Sequence, residues 1–240
     1  MIDINQSQAP ARSIRGYFAR NSEAVPLLTL GAATLMCAGL AASRVLYTGS
    51  HGYLFLLWNL FLAWIPFLVS LVMRRAQGSS RRPRLRLLLL GMIWLLFYPN
   101  APYIITDFLH LQPRGDSPLW FDMLLIASFA WTGLLLGFAS LYLMQRLVAK
   151  YYGWVQGWIF VVVVSFLSSF GIYLGRFERW NSWDIARDPR GILRDIWPLL
   201  VDPLGHPRTM VITLVLALFL LVGYFTLSAI LHLKQLPERE

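Results

Sequence analysis

Apolar runs long enough to cross a bilayer alternate along this chain with polar connections. The runs cover Val25 to Ser43, Tyr53 to Met73, Leu87 to Thr106, Phe121 to Gln145, residues 154–174 and Met210 to Leu231. A hydrocarbon core about 30 Å thick needs roughly 20 apolar residues per helix. The pattern therefore predicts an all-α, multi-pass transmembrane bundle of about six spans. The short alternating segments that would close a barrel are absent from the sequence. One transmembrane domain is expected over residues 25–231, preceded by a polar arm, 1–24, and followed by a short tail, 232–240.

The third run is unlike the others because Tyr98 to Asp107, YPNAPYIITD, sets two prolines around an asparagine and ends on an acid. Proline donates no amide and pushes the residue before it away from helical geometry. The third helix is thus expected to stop before Pro99. Asn100 would cap a second helix that carries Pro102 in its first turn. At α-helical spacing Tyr103, Asp107 and His110 then share one face. Broken backbone at membrane depth is tolerated where it is buried in protein or lines a wet cavity, so this stretch is a cavity-lining candidate.

The longest polar connection, Gly175 to Thr209, precedes the last span and opens with GRFERWNSWD. Arg176 and Arg179 stand three apart, with Trp180 and Trp183 following on roughly the same face. This suits the headgroup level, where tryptophan anchors and arginine grips phosphate or carboxylate. Asn181 and Asp184 have the spacing of a capping box, with Asp in place of the usual Glu. Farther on, Ile192, Leu193, Ile196, Trp197 and Leu200 recur at helical spacing. They predict a short amphipathic helix ending near Pro198 or Pro203, which would lie on the membrane interface or cap the bundle. Gly133/Gly137, Gly153/Gly157 and Gly171/Gly175 are GxxxG pairs that permit close backbone approach; Gly171/Gly175 is the expected packing seam.

Composition agrees with the hydropathy pattern: 57% of the 240 residues are hydrophobic and only 14% are charged. The net charge of +9 is compatible with nucleic-acid binding, but basic loops in so apolar a chain are better explained by topology and lipid phosphates. No nucleic-acid partner is expected; membrane lipids are. Six Arg between Arg74 and Arg86, with no acid among them, mark the cytoplasmic side of the bundle. Both termini are then cytoplasmic, with 13 of the 21 cations on that side, and the expected location is the cell's inner (plasma) membrane. Asp107, His110, Arg176, Asn181 and Asp184 all fall on the outer face. Arg44 and His51 are placed in the first outer loop. The single cysteine, Cys37, excludes an intrachain disulfide and reads as a small buried hydrophobe.

Asp107 and His110 are the candidate catalytic residues, able to handle protons. Asn100, Tyr103, Arg176, Arg179, Asn181 and Asp184 are the candidate binding residues. A metal at Asp107 and His110 would need a third ligand from His51, His206 or Asp184; none is assigned, and no cofactor is implied. No nucleotide loop, HExxH, paired-cysteine or serine-hydrolase motif occurs. Three readings follow. The first is an outward-facing polar pocket for an anionic or lipid-linked substrate, with transfer or hydrolysis at a headgroup if it is an enzyme. The second is a transporter or channel subunit lined by Asn100 and Asp107, and the third a structural or assembly factor.

Two segments, FYPNAPYIITDFLHL from Phe97 to Leu111 and GIYLGRFERWNSWD from Gly171 to Asp184, give the chain a family likeness. It resembles a family of bacterial integral membrane proteins defined only as a domain of unknown function. The likeness covers roughly Leu54 to Leu231, leaving Met1 to Ala24 outside. It implies a membrane fold and marks these two stretches; it carries no activity.

Overall fold

The computed structural model describes residues 24–76, 83–113 and 117–233. The polar arm up to residue 23, the middle of the Arg-rich loop and the tail from residue 234 lie outside the described residues. The helices in chain order are α1 (Ala24–Thr48), α2 (Phe55–Arg75), α3 (Pro83–Phe97) and α4 (Asn100–Tyr103), which continues as a 3-10 helix, Ile104–His110. They are followed by α5 (Leu119–Tyr152), α6 (Trp154–Phe177), α7 (Asp184–Arg187), α8 (Pro189–Val201) and α9 (Pro207–Leu233).

Six stretches have the length and hydropathy of spans: α1, α2, residues 85–110 taken together, α5, α6 and α9. The chain is a multi-pass membrane protein, and no strand occurs among the described residues. Lipid leaves this as the economical solution, because a helix satisfies its own backbone where no water can. The helices extend past the expected runs at several ends. The fourth span, for example, continues from Gln145 to Tyr152, carrying Arg146 and Lys150, whose long stems can hold a charge near the headgroups.

The mast of the bundle is α5, with 67% of its apolar window buried against 17% for α1 and α9. Along one part of its length Leu125, Ile126 and Phe129 pack with residues of α1, α2 and the third span, among them Cys37, Leu56 and Ile104. Along another part Leu134, Phe138, Leu141 and Met144 pack with α3, α6 and α9, including Trp94, Val161 and Tyr224. Polar pairs within these layers are matched: Trp94 Nε1 donates to Ser140 Oγ at 2.7 Å, and the Tyr224 hydroxyl donates to Gln145 Oε1 at 2.5 Å. Cys37 is fully buried, 3.4 Å from Thr132 Oγ1.

One expectation for the first outer loop needs correction. Arg44 is not in a loop; it lies inside α1 with its side chain 1% exposed. It forms a two-pronged pair with Asp122 at the start of α5, Nε to Oδ1 at 2.6 Å and Nη2 to Oδ2 at 3.1 Å, and stacks over the Tyr53 ring at 4.5 Å. A fork of donors matched to a carboxylate lets the cation be buried, so the helix continues through it.

The glycine pairs enclose the proline stretch from two sides. A Cβ on Gly133 of α5 would stand 2.7 Å from the Ala101 carbonyl, and one on Gly171 of α6 would stand 3.0 Å from Pro99 Cγ. Gly137 faces Ala101 and Pro102, while Gly175 faces Tyr103. Both seams therefore need the missing side chains, and the expected Gly171/Gly175 seam is matched by one at Gly133/Gly137.

Candidate functional site

The proline stretch is a constriction more than a gap. α3 ends at Phe97 as expected, but Pro99 has helical dihedrals, φ −57° and ψ −25°, and α4 resumes at Asn100. Asn100 does not act as the expected N-cap. With the helix almost continuous, the groups needing partners are the carbonyls at the end of α3, so a donor is required. Asn100 Nδ2 donates to Phe97 O at 2.9 Å and to Ser182 Oγ at 3.0 Å; Ser182 Oγ donates onward to Leu96 O at 3.0 Å. This stitches the GRFERWNSWD segment to the break.

Beyond Tyr103 the chain tightens to 3-10 geometry, correcting the expected α-helical face. In a 3-10 helix residues three apart eclipse, which aligns Tyr103 with Thr106 and Asp107 with His110. Arg176, near the end of α6, fills the space beside both rows. Its Nε donates to Thr106 Oγ1 at 2.8 Å, its Nη1 to His110 Nε2 at 2.7 Å and its Nη2 to Asp107 Oδ1. The guanidinium lies 4.3 Å from the centre of the Tyr103 ring. Since a guanidinium only donates, His110 Nε2 must accept, which leaves its ring proton on Nδ1.

Asp107 is fully buried, and its other oxygen, Oδ2, accepts from Asn59 Nδ2 at 2.9 Å. Asn59 stands one turn into α2 and is a partner that the sequence did not single out. The Tyr53 hydroxyl donates to His110 O at 3.3 Å, and the Phe55 ring meets the His110 ring edge-on at 5.0 Å. Among the described residues no three His, Cys, Asp or Glu side chains converge as metal ligands. Arg176 instead occupies the position between Asp107 and His110.

The expected shared face of Arg176, Arg179, Trp180 and Trp183 does not form, because α6 ends at Phe177. Arg179 takes φ +63°, a left-handed conformation that reverses the chain. Arg179 is exposed, while Trp180 N–H bonds back to Leu174 O at 3.1 Å. Asn181 and Asp184 make half a capping box: Asp184 Oδ2 accepts from Asn181 N at 2.7 Å and Asn181 Nδ2 at 3.0 Å. They open α7.

A cavity of about 460 Å³ sits between α2, α3, α4 and α6, beneath the turn and helices of residues 180–196. That is within the range of small-molecule sites. Leu62, Leu95, Leu96, Leu167, Leu174 and Ile196 are among its apolar lining; Asn59, Asn100, Tyr103, Asn181 and Ser182 supply polar groups. Among the described residues no charged side chain lines it. The Arg176–Asp107 pair stands behind the wall and reaches the cavity through Asn59 and Tyr103. Trp58, Met92 and Leu167 line the cavity and are 54%, 54% and 49% exposed, on helices that span the membrane. These lining side chains are thus partly exposed on helices long and apolar enough to cross a membrane.

The expected amphipathic helix is present as α8, with Asp188 accepting from Gly191 N at 2.9 Å at its start and Pro198 inside it. Ile192 and Ile196 turn toward the cavity, while Leu193, Trp197 and Leu200 remain exposed. One apolar arc thus covers the cavity and presents a second surface outward.

A family described as "Protein of unknown function (DUF1361)" matches residues 58–222, more than half of the chain. No curated protein and no solved structure matches.

Proposed function

The chain belongs to that DUF1361 family, whose match takes in both motifs and every wall of the cavity, and from this premise we propose that it binds a membrane amphiphile there. The apolar tail would occupy the lipid-facing part between α3 and α6, and the polar head would meet Asn59, Asn100, Tyr103 and Asn181. The observation that carries this reading is the mouth: Trp58, Met92 and Leu167 belong to spanning helices, so a lipid can slide in sideways without crossing water.

Of the two ligand classes expected from the sequence, anionic and lipid-linked, the uncharged wall favours the second. Arg176 already has a carboxylate partner in Asp107. In this reading Asp107, Arg176 and His110 are positioning residues that hold Asn59 and Tyr103 in place, with Arg179 outside the pocket and Asp184 shaping the turn that roofs it. With the termini in the cytoplasm, the cavity opens to the outer leaflet of the plasma membrane.

Native mass spectrometry of the full-length protein extracted in mild detergent tests the proposal. Leu167→Trp fills the mouth, whereas Met123→Trp adds the same bulk on a lipid-facing position of α5 outside the cavity. Co-purified lipid should fall sharply in L167W and persist in M123W. Equal lipid occupancy in wild type, L167W and M123W refutes the site.

A further inference from the structure

The polar atoms in the cavity are not an even mixture, and their kind selects the head group. Asn59 spends Nδ2 on Asp107, Asn100 spends Nδ2 on Phe97 O and Ser182, and Asn181 spends Nδ2 on Asp184. Carbonyls and carboxylates only accept, so these bonds fix which end of each amide is the oxygen. The oxygens of all three amides accept no hydrogen bond from the described residues. At Asn59 and Asn100 they are also not sealed away from a ligand. The Tyr103 hydroxyl has no partner among the described residues either. The site therefore offers three open amide acceptors and the Tyr103 hydroxyl, with the indole N–H groups of Trp58 and Trp183, which also line it, as further donors.

An acyl tail leaving lipid for an apolar cleft gains little, since both surroundings are hydrocarbon. Selectivity must reside in the head. A phosphate there would find no cation in the wall to meet its charge and would face three amide oxygens that repel its own. An ammonium would find acceptors but no counter-charge, and a buried unpaired charge is costly. Hydroxyl groups fit, because each can donate to an amide oxygen and accept from Tyr103. Trp58, Trp180 and Trp183 also line this end, with the Trp58 and Trp183 rings 6.3 Å apart. Such rings are broad, rigid surfaces for the C–H face of a sugar.

We propose that the amphiphile held here carries an uncharged polyhydroxyl head, sugar-like in chemistry, bound through Asn59, Asn100, Asn181 and Tyr103. This rests on reading the cavity as a lipid site. The test offers full-length protein an equimolar mixture of three lipids with identical dioleoyl chains: monoglucosyl diacylglycerol, phosphatidylcholine and phosphatidic acid. Native mass spectrometry counts each bound species. The glucosyl lipid should be enriched about tenfold over either phospholipid, the effect of one or two net hydrogen bonds. Asn100→Ala and Asn181→Ala should each lower that preference severalfold. Asn181 is exposed, so its variant carries the test if Asn100→Ala fails to fold.

The outcomes separate the two claims. Phospholipid bound as well as the glucosyl lipid, or a preference that survives both alanine changes, overturns the head assignment and leaves the cavity reading standing. Lipid binding unchanged in L167W, or no lipid bound by wild type, overturns both.

Discussion

Replacing Arg176 by leucine should destabilise the protein severely, and most of that loss should return when Asp107 is replaced as well. The guanidinium donates to Thr106, Asp107 and His110 and stacks on Tyr103. Its side chain is 10% exposed and that of Asp107 is 0% exposed. Without it, the Asp107 carboxylate stays buried with Asn59 Nδ2 as its remaining donor among the described residues and loses its counter-charge. Removing one member of a buried pair costs about 3–5 kcal/mol, largely the cost of the stranded charge. In a chain of this length each kcal/mol moves the melting temperature by about 2–4 °C, so R176L should melt roughly 6–20 °C lower. Arg176→Leu with Asp107→Leu removes both charges and should lie within about 2 kcal/mol of wild type. Thermal unfolding in detergent, followed by tryptophan fluorescence, reads both. An R176L protein melting within about 2 °C of wild type would refute the reasoning, as would a double variant no better than the single one.

Two further outcomes follow from the packing and the charge pattern. Gly133→Ala, whose Cβ meets a backbone carbonyl at 2.7 Å, should cost about 1–3 kcal/mol. Gly31→Ala, with nothing within 4 Å, should be neutral or slightly stabilising in the same melts. For topology, Arg114→Cys should react with an impermeant maleimide on intact cells and Gln77→Cys only after permeabilisation. Cys37 is buried and does not compete for the reagent; labelling of position 77 from outside would reverse the orientation.

The spans were legible because an apolar run of that length in lipid has one economical conformation. The residues of the Arg176 cluster were legible by type and position, as polar groups emerging at one end of the third and fifth spans. Their pairing was not, since Asp107 and Arg176 are 69 residues apart and only helix packing joins them. Asn59 stayed hidden because an isolated amide in an apolar helix has meaning only once its neighbour is known. The close approach of Gly133 and Gly171 to residues 99–104 is a tertiary contact that no local propensity encodes. Arg44 lay just past an apolar run and so resembled a loop cation; hydropathy takes no account of a counter-ion 78 residues downstream. The cavity is a shape between helices, and no residue pattern announces its volume.

The Arg44–Asp122 pair also bears on how the molecule is made. Synthesis at about 5–20 residues per second delivers Asp122 roughly 4–16 s after Arg44. Throughout that interval the first helix carries a cation that it cannot bury. The cation must wait at the membrane surface, its long stem reaching toward water. α1 is therefore completed in place only after the start of α5 has arrived. An arrest of translation between the two should leave α1 inserted but undocked.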